Sequence, residues 1–184
     1  MTDTSHKAAS QTLREIASWQ PGRGSADSDL LPELSTMVAR SRDLSRNHGI
    51  ASGAMQTLTD NIVGTGFRLS AKPDYKLLGK TKDWEEEWQA KVEGLWRSWS
   101  ETFMCDAAQS LNFHGLTTQV FKSCLINGEA LALALWLPER PVATTIQLIE
   151  PDRLSNPNNS TDSKNLRGGV EIDRFGAPIA YYIL

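Results

Sequence analysis

The spacing of hydrophobic residues changes once along this chain, at Asn127-Gly128, and that change limits the fold more than any other feature. Before it, apolar residues recur every three to four positions, as on one face of a helix. After it they alternate, as in strands that bury one face. A block of helices followed by a block of antiparallel hairpins predicts an α+β fold.

The first helical pattern extends over residues 34–62, and start signals lie just before it, at residues 29–32. Pro32 suits a first helical turn, and acidic residues are favourable beside a helix N-terminus. Gly49 and Gly53 are expected to divide or bend this helix. We expect the helix to end at Gly64-Thr65-Gly66, because glycine accepts the left-handed conformation that commonly follows a helix.

A second helix is predicted over residues 84–103, where one face is apolar and the other is charged. Four tryptophans lie on the apolar face, so this helix requires a surface to dock on. They are Trp84, Trp88, Trp96 and Trp99. A third helix is predicted over residues 111–126.

Alternating segments predict strands and hairpins in the remainder. Residues 67–70 predict a short strand directly after the first helix. Residues 129–137 and 143–149 predict one hairpin, and the segment 170–184 predicts a second. Between the hairpins, residues 156–168 form a polar insertion.

The chain carries no recognisable enzyme motif. It lacks both the GxSxG turn of a nucleophilic serine and the GxxxxGK[ST] loop of a nucleotide site. Cys105 and Cys124 have no CxxC partner and are expected to be buried thiols. Six carboxylates could bind a metal, but their spacing matches no ligand motif: Asp60, Glu129, Glu150, Asp152, Glu171 and Asp173. We therefore predict no catalytic residue, cofactor or metal.

Composition is that of an ordinary globular protein, with 40% hydrophobic residues, 22% charged residues and a net charge of −3. The charge has the wrong sign for a dedicated nucleic-acid binder, so any DNA contact needs a local basic patch. The longest apolar run, Ala130 to Leu137, is too short to cross a bilayer, and no apolar signal segment begins the chain. We predict no membrane association.

Arg40, Arg42 and Arg46 form the one candidate functional patch. In a helix Arg42 and Arg46 share a face, which suits phosphate oxygens or the carboxylates of a neighbouring subunit. Three interpretations stay open: a subunit interface, a solvated surface and direct DNA contact. In Glu150-Pro151-Asp152-Arg153, an internal salt bridge is the main interpretation and an intersubunit contact the alternative.

This arginine segment begins a series of blocks that resembles the lambda-type bacteriophage portal proteins. Separate blocks at compatible spacing are much harder to obtain by chance than one block, and the resemblance extends over residues 35 to 184. The blocks are Arg40, Arg42, Asp43, Leu44, Arg46 and Asn47; residues 60–66; Asn127-Gly128-Glu129; residues 148–154; residues 169–173; and Gly176-Ala177-Pro178.

The resemblance implies a structural protein that hydrolyses nothing itself. It would form a dodecameric ring at one capsid vertex, through which the terminase large subunit drives double-stranded DNA and through which the DNA later leaves toward the tail. Other implied partners are capsid and head-completion proteins. The implied location is the virion vertex, and the host cytoplasm during assembly.

Proteins of this family are several times longer, so the chain resembles their N-terminal, wing-like part, truncated before the stem, clip and crown. We expect residues 1–30 to be a mobile arm and residues 31–184 to be the wing. The alternative is a stand-alone small enzyme or regulator of mobile-element origin that uses a portal-like fold. The reading frame after codon 184 would distinguish these two hypotheses.

Overall fold

The structure is a computed structural model that describes residues 7–22 and 24–184. It divides into two units, residues 1–34 and 35–184. The first unit contains a short 3-10 turn at Lys7–Ala9 and the beginning of helix α1, which spans Ala26–Asn47. The mobility of the N-terminal arm stays a prediction, and its residues 1–6 and 23 lie outside the described part.

Helix α1 begins earlier than the sequence pattern predicted, so the expected start at residues 29–32 is wrong. Ser25 provides the reason, because its side chain accepts a hydrogen bond from the backbone N–H of Ser28 at 3.2 Å and so caps the helix. Asp27 and Asp29 then lie in the first turn, and Pro32 lies inside the helix.

The second unit confirms the predicted α+β class, because helices are followed by antiparallel strands among its described residues. After α1 come α2 (Gly49–Ile62), α3 (Lys82–Ser100), α4 (Phe113–Asn127), β1 (Leu131–Trp136), β2 (Thr144–Ile149), β3 (Leu166–Arg167), β4 (Val170–Ile172) and β5 (Pro178–Tyr181). β1 and β2 form one sheet, and β3, β4 and β5 form a second sheet in that order.

The helix boundaries near the glycines agree with the sequence pattern. His48 caps α2 and separates it from α1, as predicted for Gly49, whereas Gly53 lies inside the continuous helix. Gly64 and Gly66 have φ of 53° and 91°, so the predicted stop is confirmed. A Cβ on Gly66 would lie 2.9 Å from His114 Nδ1, so a side chain there would press on the start of α4.

The strand predicted at residues 67–70 is not formed. The chain runs from Gly66 to Asp74 without helix, strand, turn or bend, and residues 67–70 make no backbone hydrogen bond to another described residue. The next amide, that of Ala71, donates to Glu93 Oε1 at 3.1 Å. Alternation alone makes no strand, because a strand also needs a hydrogen-bonding neighbour.

The tryptophan helix docks through its C-terminal half. The ring centroids of Trp96 and Trp99 lie 5.0 Å and 5.6 Å from that of Phe113, at the start of α4. Trp99 Nε1 donates to the carbonyl oxygen of Thr144 in β2 at 2.8 Å. This aromatic cluster therefore joins α3 to α4 and to the first sheet.

The N-terminal half of the same stripe is less covered than predicted. The ring of Trp88 stacks on that of Trp84 with centroids 6.2 Å apart, and 37% of Trp88 stays exposed. The predicted docking is therefore confirmed for the C-terminal half of the stripe, whereas Trp88 in the N-terminal half contacts Trp84 of the same helix and stays partly solvated.

Asp106, which the sequence interpretation missed, organises the loop between α3 and α4. It is 3% exposed, and its carboxylate accepts hydrogen bonds from the amides of Ala108, Ser110 and Leu111 and from the hydroxyl of Ser110. Burial raises the pKa of this carboxyl, but the four donors outweigh it and leave the pKa below its ordinary value. The loop is thus built around an ionised carboxylate.

The same loop is attached to the first hairpin. The amide of Ala107 donates to the carbonyl of Ile146 in β2 at 2.8 Å. Arg140, in the hairpin turn, donates to the carbonyls of Asp106 and Ala107 at 3.2 Å and 2.7 Å. Cys105, directly before Asp106, is fully buried, as predicted. Cys124 was also expected to be buried but is exposed, because no described element covers that side of α4.

Both predicted hairpins are confirmed, with β1 pairing β2 and β4 pairing β5. The predicted polar insertion holds an additional strand, β3, which pairs with β4. Asn156 Oδ1 accepts the amide of Gly169 at 2.7 Å, and Asp162 Oδ1 accepts that of Gly168 at 2.9 Å. These side-chain bonds order a segment whose composition suggested only a loop.

Replacing Trp96 with Ala should lower the free energy of unfolding by about 3 kcal/mol, because it removes the ring that contacts both Trp99 and Phe113. Replacing Trp88 with Ala should cost only about 1 kcal/mol, since that ring stacks on Trp84 and is partly solvated. Urea denaturation of both variants measures the difference. Equal losses would show that the two halves of α3 are equally covered.

Replacing Asp106 with Asn should cost about 1 to 3 kcal/mol at neutral pH, because an amide cannot accept all four hydrogen bonds. The folded-state pKa of Asp106 is lowered, so its stabilisation is present above the ordinary pKa of about 3.9 and is lost as the pH falls through the folded value. The difference in the free energy of unfolding between the variant and the wild type should therefore shrink in acid.

Urea denaturation over a range of pH tests this expectation. The control is Asp60→Asn, on the surface of α2, whose carboxylate accepts one bond from Gln56. A stability gap for Asp106→Asn that stays constant from neutral to strongly acidic pH would contradict the role given to the carboxylate.

Candidate functional site

Arg42 is held inside the second unit by three hydrogen bonds. Its Nη1 and Nη2 donate to the two carboxylate oxygens of Asp152 at 2.7 Å and 2.9 Å, and its Nε donates to Asn127 Oδ1 at 2.8 Å. Asn127 is the last residue of α4, and Asp152 lies in a 3-10 turn, Pro151–Arg153, that follows β2. One guanidinium group therefore joins α1, α4 and the end of the first hairpin.

Local structure positions each of these partners. Gly128 follows α4 with φ of 82°, which ends the helix and reverses the chain directly after Asn127. Asn127 Nδ2 donates to Ser123 Oγ at 3.0 Å, and that hydroxyl donates to the carbonyl of Glu129 at 2.8 Å. The amide oxygen of Asn127 is thereby directed at Arg42. A cation at the C-terminus of α4 also complements the helix dipole.

Asp152 is placed by the turn that contains it. Pro151 fixes the backbone at the start of the turn, and the amides of Arg153 and Leu154 close it on the carbonyls of Glu150 and Pro151. The predicted salt bridge within the chain is confirmed for Asp152, but its partner is Arg42 in α1 rather than a residue of the same turn. An intersubunit contact of this segment stays a prediction. Asn127 was missed as a partner, although a polar side chain on the last residue of a helix before glycine was a visible signal.

The electrostatics of this centre agree with its geometry. The hydrogen bond from Arg42 lowers the pKa of Asp152, and the same bond raises the pKa of Arg42. The pKa of the nearby Glu129 carboxyl is raised, mainly by burial and to a smaller extent by repulsion from Asp152. The Arg42 side chain is 31% exposed and that of Asp152 60%, so solvent screens the pair and its net stabilisation is modest.

Arg40 and Arg46 are placed differently from Arg42. Both are exposed, and neither makes a hydrogen bond or ion pair with another described residue. Asp43, between them, accepts a hydrogen bond from Asn47 Nδ2. The structure therefore separates the predicted cluster into one arginine that is bound within the chain and two that face solvent. Contact of any of the three with a subunit or with DNA stays a prediction.

An open groove of about 700 Å³ lies beside the Arg42 centre, bounded by α1, α4, the first sheet and the turn that carries Asp152. Arg42, Arg46 and Lys122 contribute positive charge to its lining, and Glu150 and Asp152 contribute negative charge. Such mixed charge suits a polypeptide surface better than a phosphate backbone, which attracts a uniformly basic one. Arg40 lies outside this groove, in a shallow depression on α1 with Ser35, Thr36, Ala39, Asp43 and Leu44.

Within residues 7–22 and 24–184, no three His, Cys, Asp or Glu side chains gather in a way that could hold a metal ion. No helix in this described part is long and apolar enough to cross a membrane.

Comparisons with known proteins place this chain in a family. The model of the phage portal proteins of the lambda family matches residues 12–184. Portal protein B of Escherichia phage lambda is 35% identical over 173 residues, which cover 92% of this chain and 32% of that protein. The portal protein of Escherichia phage N15 is 36% identical over 173 residues, which cover 92% and 33%.

The probable portal protein of Halomonas phage phiHAP-1 is 25% identical over 186 residues, covering all of this chain and 35% of that protein. The chain thus spans about a third of the length of the curated relatives that it matches. The matched range contains the arginine segment, the tryptophan helix and both hairpins. This chain belongs to the lambda family of phage portal proteins.

Proposed function

We propose that this chain serves in a structural portal: a ring at one capsid vertex through which DNA is packaged and later ejected, and which connects head to tail. The observation that carries the proposal is 35% identity to portal protein B of phage lambda across 92% of this chain. The role is mechanical rather than catalytic, and no cofactor takes part in it.

The partners follow from that role. The chain assembles with copies of itself into a dodecameric ring, which meets the terminase large subunit during packaging and capsid and head-completion proteins in the mature particle. Double-stranded DNA passes through the ring. The protein is located at the capsid vertex of the virion, and in the host cytoplasm during assembly.

Within this proposal, Arg40 and Arg46 form contacts with a neighbouring subunit, and Arg42 holds α1 in the position that presents them. A closed ring requires two different faces that meet between neighbours. The first turns of α3 carry acidic side chains that could receive the arginines: Asp83, Glu85, Glu86 and Glu87. Direct contact of the arginines with DNA is the alternative, which repetition around a ring would strengthen.

A chimera tests this function. Residues 12–184 would replace the matching third of lambda portal protein B, and the chimera would be supplied to a lambda phage that lacks its own portal protein. We expect rings and DNA-filled heads. A chimera that folds and stays soluble but forms no rings would contradict the proposal.

The double substitution Arg40→Glu and Arg46→Glu in this chimera should reduce ring assembly by about tenfold or more, because repulsion replaces attraction at every subunit contact. Electron microscopy of purified particles counts the rings, and the charge reversal Lys164→Glu, at an exposed position outside both proposed contacts, is the control. Normal ring assembly by the double variant would exclude these residues from the interface. Normal rings that package less DNA would instead favour the DNA contact.

A further inference from the structure

The two edges of the first sheet differ in how they are covered. On the β2 side, the carbonyl of Thr144 accepts from Trp99 and the carbonyl of Ile146 accepts from the amide of Ala107. Even-numbered residues of β2 therefore direct their backbone groups away from β1. In an antiparallel pair, such outward groups alternate with the bonded ones. Within the chain, the β2 edge is already occupied.

The β1 edge is open. The amide of Leu137 donates to the carbonyl of Ala143, directly after β1, so the odd-numbered residues of β1 face β2. Ala132, Ala134 and Trp136 consequently direct their amides and carbonyls away from the sheet. None of these groups has a hydrogen-bond partner elsewhere in the described part of the chain.

Nothing in the sequence of β1 protects this edge. The strand reads Leu-Ala-Leu-Ala-Leu-Trp, with no charge, proline or glycine, and Trp136 is 71% exposed. Natural sheets usually block an exposed edge with lysine, proline, a bulge or a covering element. An unprotected apolar edge of six residues therefore indicates that another strand pairs with it.

The segment Phe67–Ser70 also has unpaired backbone groups. It has the alternation of a strand and lies in a stretch without turn or bend, yet it makes no backbone hydrogen bond to another described residue. Phe67 is 62% exposed. On one flank, Gly66 approaches α4 so closely that a Cβ there would lie 2.9 Å from His114 Nδ1. On the other flank, the amide of Ala71 donates to Glu93 in α3. The segment therefore lies beside these helices, whereas β1 is paired with β2.

We propose that the segment Phe67–Ser70 of one copy pairs with the open edge of β1 in a neighbouring copy. One chain carries both the unpaired segment and the unpaired edge, which makes a second copy the partner. The contact is directional, since each subunit gives one element and receives the other, and such contacts close into rings. The inference rests on the proposed function and identifies a contact within the ring.

Each contact is weak alone, because a segment this short offers only a few backbone hydrogen bonds. Repetition around a closed ring supplies the remaining stability. The phenyl ring of Phe67 and the indole of Trp136 would lose exposed apolar surface in the pairing, which favours it further.

Disulfide trapping tests the contact on the full chain. Two single variants, Ser70→Cys and Ala134→Cys, are made with Cys124→Ser, which removes the exposed native thiol. After mixing under mild oxidation, the mixed disulfide should form about tenfold faster than between Ser70→Cys and Gln147→Cys, an exposed control position on β2. Equal rates for the two pairs would overturn the proposal.

Hydrogen exchange provides a second measurement that needs no variant. Amide exchange in residues 66–71 and 131–137 should slow together as the protein concentration rises. Protection of only one of the two segments would overturn the pairing. In a lambda chimera that carries both Ser70→Cys and Ala134→Cys, rings that form without a disulfide between these two positions would contradict this inference alone, whereas the absence of rings from the unsubstituted chimera would contradict the proposed function.

Discussion

The bond between Arg42 and the pair Asp152 and Asn127 is the interaction on which the position of α1 in the second unit depends. It joins three elements that are far apart in sequence, and its carboxylate is engaged through both oxygens. Without it, α1 would retain few fixed contacts, because none of its residues is fully buried. A bidentate pair also fixes orientation, which a single apolar contact does not.

Polar bonds of this kind explain how the chain keeps its elements in place without a large apolar core. Among the described residues, the buried apolar side chains are few: Val63, Ala71, Cys105, Leu116 and Ile149. The polar centres at Arg42 and Asp106 hold the elements in place, and apolar residues such as Ile50, Ile62 and Trp136 stay exposed. Exposed apolar surface of this kind is typical of a subunit that is completed by association.

Local signals in the sequence predicted the helices and hairpins, because capping residues, glycine stops and hydrophobic spacing act within a few positions. The signals failed where the outcome depended on distant partners. Residues 67–70 have the pattern of a strand but no hydrogen-bonded neighbour among the described residues, and Trp88 has the pattern of a core residue but stays partly exposed beside Trp84 of the same helix. Arg42 could not be distinguished from Arg40 in the sequence, since only the fold brings Asp152 to one of them.

A double-mutant cycle between Arg42 and Asp152 tests the central role of this bond most directly. The free energies of unfolding of Arg42→Ala, Asp152→Ala and the double variant should give a coupling energy of about 1 kcal/mol, the value for a well-oriented but partly exposed pair. The matched cycle with Arg40→Ala in place of Arg42→Ala should give a coupling near zero. Indistinguishable couplings in the two cycles would contradict the claim that Arg42 holds α1 in place.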